Sequence, residues 1–358
     1  MPKPMSSRKV SHYRRTLDRQ IMKKEDTISL DHGSGGRASH ELVRRVFLPQ
    51  FKNSLLDGLD DSTVFEIGDR KLAFSTDSYT VDPIFFPGGD IGCLAVNGTV
   101  NDLSMRGAIP LYLSAGFIIE EGFPIADLKR IVESMKGAAE TAGVQIIAGD
   151  TKVVNRGGAD KIFINTSGVG TIKNNTNISG QNAQVEDLVL ISGTIGDHGI
   201  TVLSKRGGLS FETSIQSDSA PLNGLVAEMM SVGDRIHAMR DPTRGGLATT
   251  LNEIALQSNV GIELFEEKIP VRESVVGACE LLGIDPLYVA NEGKLIAFVS
   301  PEDADKVLNC MKSHPYGREA AIIGKVISEN QGRVFMKTNI GGTRIIDMLE
   351  GEQLPRIC

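Results

Sequence analysis

From Thr27 onward the chain alternates between segments with a two-residue apolar period and segments with a period near 3.6, and one long polar run interrupts it. Residues 71–76 read as a strand ending in Asp77. Residues 92–106 read as a helix with Leu94, Val96, Val100 and Leu103 as apolar positions. Leu111, Leu113, Ala115, Phe117 and Ile119 alternate as in a half-buried strand. Pro124 opens a helix, where proline is tolerated, with Ile125, Leu128, Val132, Met135 and Ala139 facing inward and Gly143 as its stop. Strands follow at 144–148 and 162–169. The polar run at 173–186, which begins Lys173-Asn174-Asn175-Thr176-Asn177, divides the chain. Beyond it we expect strands at 188–192, 261–265, 287–290, 295–299, 321–326 and 333–336, and helices near 197–206, 221–232, 244–258 and 302–313. This is an α/β (α+β) chain of two domains with mixed sheets and helices. The expected bounds are a disordered basic extension at 1–24, a first domain at 25–176, a second at 177–345 and a mobile C-terminal tail at 346–358.

Charge and composition remove several classes of function. The net charge is −7, yet residues 1–24 alone carry eight bases against Asp18. The rest of the chain is therefore strongly acidic, which counts against broad nucleic-acid binding. No apolar run approaches the roughly 18 residues of a membrane span, and no secretory core follows the basic start. Cys93, Cys279, Cys310 and Cys358 form no CxxC pair, which argues against a zinc site or a disulfide scaffold and for a reducing cytoplasm.

The acidic residues carry the chemistry. Asp61 lies in Asp60-Asp61-Ser62, Asp77 in Thr76-Asp77-Ser78, Asp102 in Asn101-Asp102-Leu103 and Asp150 in Gly149-Asp150-Thr151-Lys152. Three of them fall at or beside expected strand ends, where ligands of α/β sheets gather. Hard oxygen donors of this kind suit Mg²⁺ carried with a nucleoside triphosphate. The glycine-rich stretch Asp31-His32-Gly33-Ser34-Gly35-Gly36-Arg37 could cradle phosphate with its N–H groups, yet it is neither a P-loop nor a dinucleotide fingerprint. Thr243, in Arg240-Asp241-Pro242-Thr243-Arg244-Gly245-Gly246, reads as the cap of the 244–258 helix. Glu292 stands in a turn between two apolar strands. Cys358 ends a segment without periodicity, where a thiol can carry a group between two sites.

Taken together, segments 31–37, 74–78, 83–92, 99–103, 107–121, 149–154, 163–166, 196–199, 240–247, 291–295 and the terminal Pro355-Arg356-Ile357-Cys358 closely resemble the HypE family of [NiFe]-hydrogenase maturation. The resemblance runs from about residue 27 to the end. It implies the two-domain fold of aminoimidazole ribonucleotide synthetase, with N-terminal halves of two chains paired into a barrel as a homodimer. It implies ATP and Mg²⁺, with Asp61, Asp77, Asp102 and Asp150 as metal ligands. Gly35, Gly36, Asn101 and Thr151 would complete the nucleotide site. It also implies a carbamoyltransferase partner, HypF, that loads Cys358. ATP-dependent dehydration of the S-carboxamide to an S-cyanate would follow, with transfer of cyanide to iron on a HypC–HypD complex. Glu292 would then be the base, Lys152 would stabilise charge on the reacting oxygen, and Gly351 and Pro355 would hinge and stiffen the tail. Selenophosphate synthetase shares the fold, but it carries its reactive Cys or selenocysteine in the early glycine-rich segment, and here no Cys precedes Cys93. A non-catalytic adaptor would need neither the carboxylates nor Cys358.

Overall fold

The computed structural model describes residues 27–206, 215–351 and 356–358. The expected disordered extension and Pro355 lie outside these residues.

The first half is built on a five-stranded sheet of β1 (Thr63–Ile67), β2 (Arg70–Tyr79), β5 (Ile109–Glu120), β6 (Gln145–Val154) and β7 (Ile162–Ile172). Its order is β1-β2-β7-β5-β6, and only β5 and β6 run parallel. A two-residue ribbon, β3 (Phe85–Phe86) with β4 (Gly89–Asp90), leads into the first long helix.

Two short helices, α1 (Arg37–Leu42) and α2 (Leu48–Phe51), precede the sheet, and α3 (Ile91–Met105) and α4 (Ile125–Ala142) cover one of its faces. Asp90 caps α3, its carboxylate accepting from the Gly92 and Cys93 N–H groups at 2.7 and 3.1 Å. Gly143 ends α4 in the left-handed region at φ 71°, as its sequence position predicts. The inward face of α4 is Ile131, Met135, Ala139 and Ala142, with the expected Met135 and Ala139 among them, whereas Ile125 and Val132 stay exposed.

The other face of this sheet is bare. Phe74, Tyr112 and Ile118 project from it, and every residue of β6 but the last is exposed. Cross-strand register places Ser78, Asn165, Gly116 and Asp150 in one row on that face. Asp77, Thr166 and Ala115 form the adjacent row, which faces the helices.

The second half carries seven strands. They are β8 (Leu188–Ile191), β9 (Ile236–Arg240), β10 (Gly261–Phe265), β11 (Ile296–Val299), β12 (Ala321–Ile327), β13 (Arg333–Lys337) and β14 (Thr343–Ile346). They are ordered β14-β13-β10-β12-β8-β11-β9, with only β10 and β13 parallel.

Its helices are α5 (Asp197–Arg206), α6 (Asn223–Val232), α7 (Gly246–Ser258), α8 (Glu273–Leu282) and α9 (Pro301–Ser313). Val189, Ile191, Ile296 and Phe298 pack with α7. Leu190, Ala297 and Val299 pack with α6 and α9. Alternate side chains thus serve two covered faces, which explains why these strands read as unbroken apolar runs.

The strand expected at 287–290 does not form. Pro286 begins a short 3₁₀ turn, Pro286–Tyr288, and the Asp285 carboxylate accepts from the Leu287 N–H at 2.9 Å. Thr243 does not cap α7. The cap position is Gly245 at φ 77°, and a β-carbon on Gly246 would lie 2.6 Å from the Leu287 carbonyl oxygen. The first segment of the chain lies against the second half. His40 pairs with Glu253 of α7 at 2.7 Å, and Arg244 donates to the Gly33 carbonyl at 3.1 Å.

Candidate active site

Three of the four expected aspartates meet in one place. Asp61 precedes β1, Asp77 lies within β2 rather than at its end, and Asp102 lies on α3. Ser75 joins two of them, donating to Asp102 Oδ2 at 2.7 Å and lying 2.9 Å from the Asp61 carbonyl. Burial pushes all three carboxyls above the usual range. Asp241, Asp77 and Asp61 push Asp102 further by repulsion, whereas Arg240 works against the rise at Asp61 and Arg244 against that at Asp77. Arg240 pairs with Asp61 Oδ1 at 2.8 Å and with Glu253. Asp61 Oδ2 is buried without a hydrogen-bond partner.

Glu292 joins this cluster from the second half. It is 3% exposed, so it is not a solvated turn residue. Its N–H donates to Asp218 at 3.0 Å, and a β-carbon on Gly293 would strike the Asp218 carbonyl. Burial first, then the charges of Asp241, Asp218 and Asp77, hold its carboxyl well above the normal range; Arg244 opposes them. Its Oε1 also lacks a hydrogen-bond partner. Asn101 reaches the same loop. Its amide donates to the carbonyls of Ala220 and Glu292 at 3.1 and 3.2 Å and accepts from the Leu222 N–H at 2.8 Å. Both ends of that side chain are thus engaged in fastening the halves together.

Arg244 links the acids to Cys358. The negative charge at Cys358 is the largest influence holding its guanidinium protonated; burial opposes it, and Asp77, Glu292 and Asp102 add to it. Cys358 itself lines a cleft of about 320 Å³ with Ser78, Thr80, Gly33, Ser34, Arg244 and Gly245. Residues 356–358 are docked in the structure. The Thr80 N–H donates to the Cys358 main-chain oxygen at 2.9 Å, and Ile357 is buried. Gly35 and Gly36 flank this cleft in a packed turn. A β-carbon on Gly35, at φ 78°, would lie 2.8 Å from Arg244 Cβ, and one on Gly36 would strike the Leu349 carbonyl.

Asp150, Thr151 and Lys152 are elsewhere. They are exposed on β6, where Lys152 pairs with Asp150 at 2.7 Å and holds its carboxyl below the usual range. Asp150 projects from the bare face and Asp77 from the covered one, so one chain cannot bring them together. Ser78 and Asp150 share a row three strand spacings apart, roughly 14 Å. A shallow trough of about 380 Å³ runs between them, lined by Thr80, Ile118, Lys152 and Phe163 among others.

The donor chemistry fits a cation carried in on a polyphosphate. Among the described residues no three His, Cys, Asp or Glu side chains form a ready metal shell. Mg²⁺ characteristically takes one or two carboxylates and completes its shell with phosphate and water, and the unpartnered Asp61 Oδ2 suits that use. Sequence reasoning missed Asp241, Arg240 and Glu253. Asp241 is buried, its carboxyl pushed up to about 6 by burial and opposed by Arg240. The run Arg240-Asp241-Pro242-Thr243-Arg244 was the available signal.

Family models match both halves: the AIR synthase related protein N-terminal domain over residues 59–172 and the C-terminal domain over 184–337. The carbamoyl dehydratase HypE of Bradyrhizobium diazoefficiens is 56% identical, covering 97% of this chain and 99% of that protein. A crystal structure of a HypE–HypF complex superposes with a TM-score of 0.82 at 54% identity, over 86% of this chain and 99% of that one. Hydrogenase maturation protein HypE in complex with ATP gives 0.79 at 55% identity, over 93% and 100%.

Proposed function

The chain belongs to the carbamoyl dehydratase HypE family of AIR synthase related proteins, and from that premise we propose that its carrier is the Cys358 thiol and its reaction chamber the cleft beside Arg244. It is an ATP-dependent dehydratase of hydrogenase maturation, and HypF is its loading partner. The observation that carries the reading of the site is the docking of Cys358 next to a guanidinium that also feels Asp77, Asp102 and Glu292.

Dehydration of a thiol-bound carboxamide needs the oxygen made a leaving group and both N–H protons removed. ATP, when bound, supplies phosphorylation of that oxygen. Asp61, Asp77 and Asp102 would hold its Mg²⁺, with Gly35 and Gly36 at the edge of the cleft. Arg244 orients the negative groups around Cys358. Glu292 accepts a proton from nitrogen, and its buried setting favours the protonated product of that step. Asn101 acts by fixing the Glu292 loop.

Asp150 and Lys152, on the bare face, enter the site when a second chain covers that face as a homodimer, and Thr151 between them joins through the exposed strand edge. Exposed Phe74, Tyr112, Ile118 and Ile147 support that pairing. We assign the HypC–HypD complex as acceptor of the cyanide and the cytoplasm as the setting; four cysteines without a disulfide among the described residues support the latter. Among the described residues no helix is long and apolar enough to cross a membrane. Intact-mass analysis after incubation with HypF, carbamoyl phosphate and ATP tests the function. A carbamoyl adduct that then loses one water is expected, and an adduct unchanged by ATP would refute it.

A further inference from the structure

The last residues of the chain are held by contacts from both halves. Ile357 is 4% exposed and sits in the apolar cluster of the first half, joined there by Val202 of α5 and Ala290. Its carbonyl accepts from His198 Nε2 at 2.8 Å. The Arg356 carbonyl accepts from Arg206 at 2.7 Å and from the Asp82 N–H at 3.2 Å, and the Cys358 oxygen accepts from the Thr80 N–H. Three successive main-chain oxygens are therefore satisfied, by His198 and Arg206 of α5 and by Thr80 and Asp82 of the segment that follows β2.

His198 is set up for this contact. Its ring is fully buried, edge-on to Phe86 with centroids 5.5 Å apart. A carbonyl only accepts, so Nε2 must carry the proton. Ser217 Oγ, which accepts from the Ser219 N–H at 3.1 Å, lies 2.8 Å from Nδ1 and donates to it. Burial lowers the imidazole pKa and so keeps this neutral tautomer. A slip of one residue would move each carbonyl by about 3.4 Å and drive Arg356 or Cys358 into the apolar socket.

We infer that Ile357 and His198 form a latch that sets the register of Cys358 in the cleft, with His198 a positioning residue for dehydration. The inference rests on Cys358 being the carrier only in its kinetic arm. Docking is read separately, by alkylating the full-length chain with iodoacetamide and mapping all four cysteines by peptide mass. Ile357→Ala and His198→Leu should each speed alkylation of Cys358 about tenfold. Half-buried Cys93 at the start of α3 and buried Cys279 in α8 should keep their parent rates.

His198→Gln offers an N–H near the place of Nε2 and should recover most of the protection. Dehydration per carbamoylated thiol should fall by the same factor in the first two variants and recover in the third. An unchanged Cys358 rate would overturn the latch. So would a matching rise at Cys93 and Cys279, which would mark general loosening, or a glutamine variant that behaves like leucine. A parent chain that never dehydrates its carbamoylated thiol would instead overturn the functional reading and leave the alkylation result standing.

Discussion

The two sheets of this chain bury their strands differently. In the seven-stranded sheet β11 is buried at all four positions, with helices on both sides. In the five-stranded sheet helices cover one face, and β6 shows almost every side chain to solvent. The candidate groups divide within the five-stranded sheet itself, between the side that its helices and the second half cover and the strand left open. Asp61, Asp77, Asp102, Glu292 and Cys358 are assembled by folding alone, whereas Asp150, Thr151 and Lys152 sit on the uncovered strand. A covered face can fix a site within one chain; an open one leaves its residues exposed.

The sharpest division comes from Cys358→Ala. It should abolish carbamoyl loading and cyanate formation while leaving ATP binding and chain pairing intact. Mass spectrometry after incubation with HypF checks it, and an adduct on Cys93, Cys279 or Cys310 in this variant would contradict it. Next, Glu292→Gln should bind ATP and accept the carbamoyl group, then dehydrate about 10²–10⁴ more slowly. Cyanate formation at the parent rate would remove Glu292 from the chemistry and leave Lys152 on the bare face as the better candidate.

Asp102→Asn should cost about 10²-fold or more in ATP turnover with the fold retained. Ser75 can still hydrogen-bond the amide oxygen, so circular dichroism and melting should scarcely change. Equal turnover in this variant and the parent would separate Asp102 from the nucleotide.

The sheets themselves can be compared by substitution. Phe298→Ala, in the covered sheet, should destabilise the chain by about 3–5 kcal/mol in denaturant titration. Ile147→Asp, on the bare strand and 63% exposed, should change monomer stability by no more than about 0.5 kcal/mol. It should nonetheless shift sedimentation toward the monomer and lower dehydration in parallel. A large loss of stability from Ile147→Asp, or no change in association, would show that β6 is not an interface.

Much of the fold was legible because apolar period tracks burial. Helix α3 was found from four apolar positions, although thirteen of its fifteen residues are buried, polar Asn97, Thr99, Asn101 and Ser104 among them. The reading of α4 had the right helix and placed Met135, Ala139 and the partly buried Leu128 correctly, but it also took in Ile125 and Val132, which are as apolar as the residues that pack. The strand expected at 287–290 failed for a local reason: Asp285 and Pro286 impose a turn that apolar counting does not register. At the candidate site, Asp61, Asp77 and Asp102, singled out by residue type, come together. Asp150 looked equivalent in sequence, and only the parity of strand register separates its face from that of Asp77. Glu292 looked solvated because a sequence of small and polar neighbours resembles a surface turn. Its burial depends on Gly293 pressing against Asp218, a contact 75 positions away in the chain.

Asn101 and Asp102 are consecutive on α3, so their side chains leave the helix about 100° apart. One grips the Glu292 loop across the domain boundary and the other lies among the buried acids Asp61, Asp77 and Asp241. Any sliding or rotation of α3 therefore disengages both together. Like a camshaft with two lobes cut in one bar, the helix ties the timing of one event to the other.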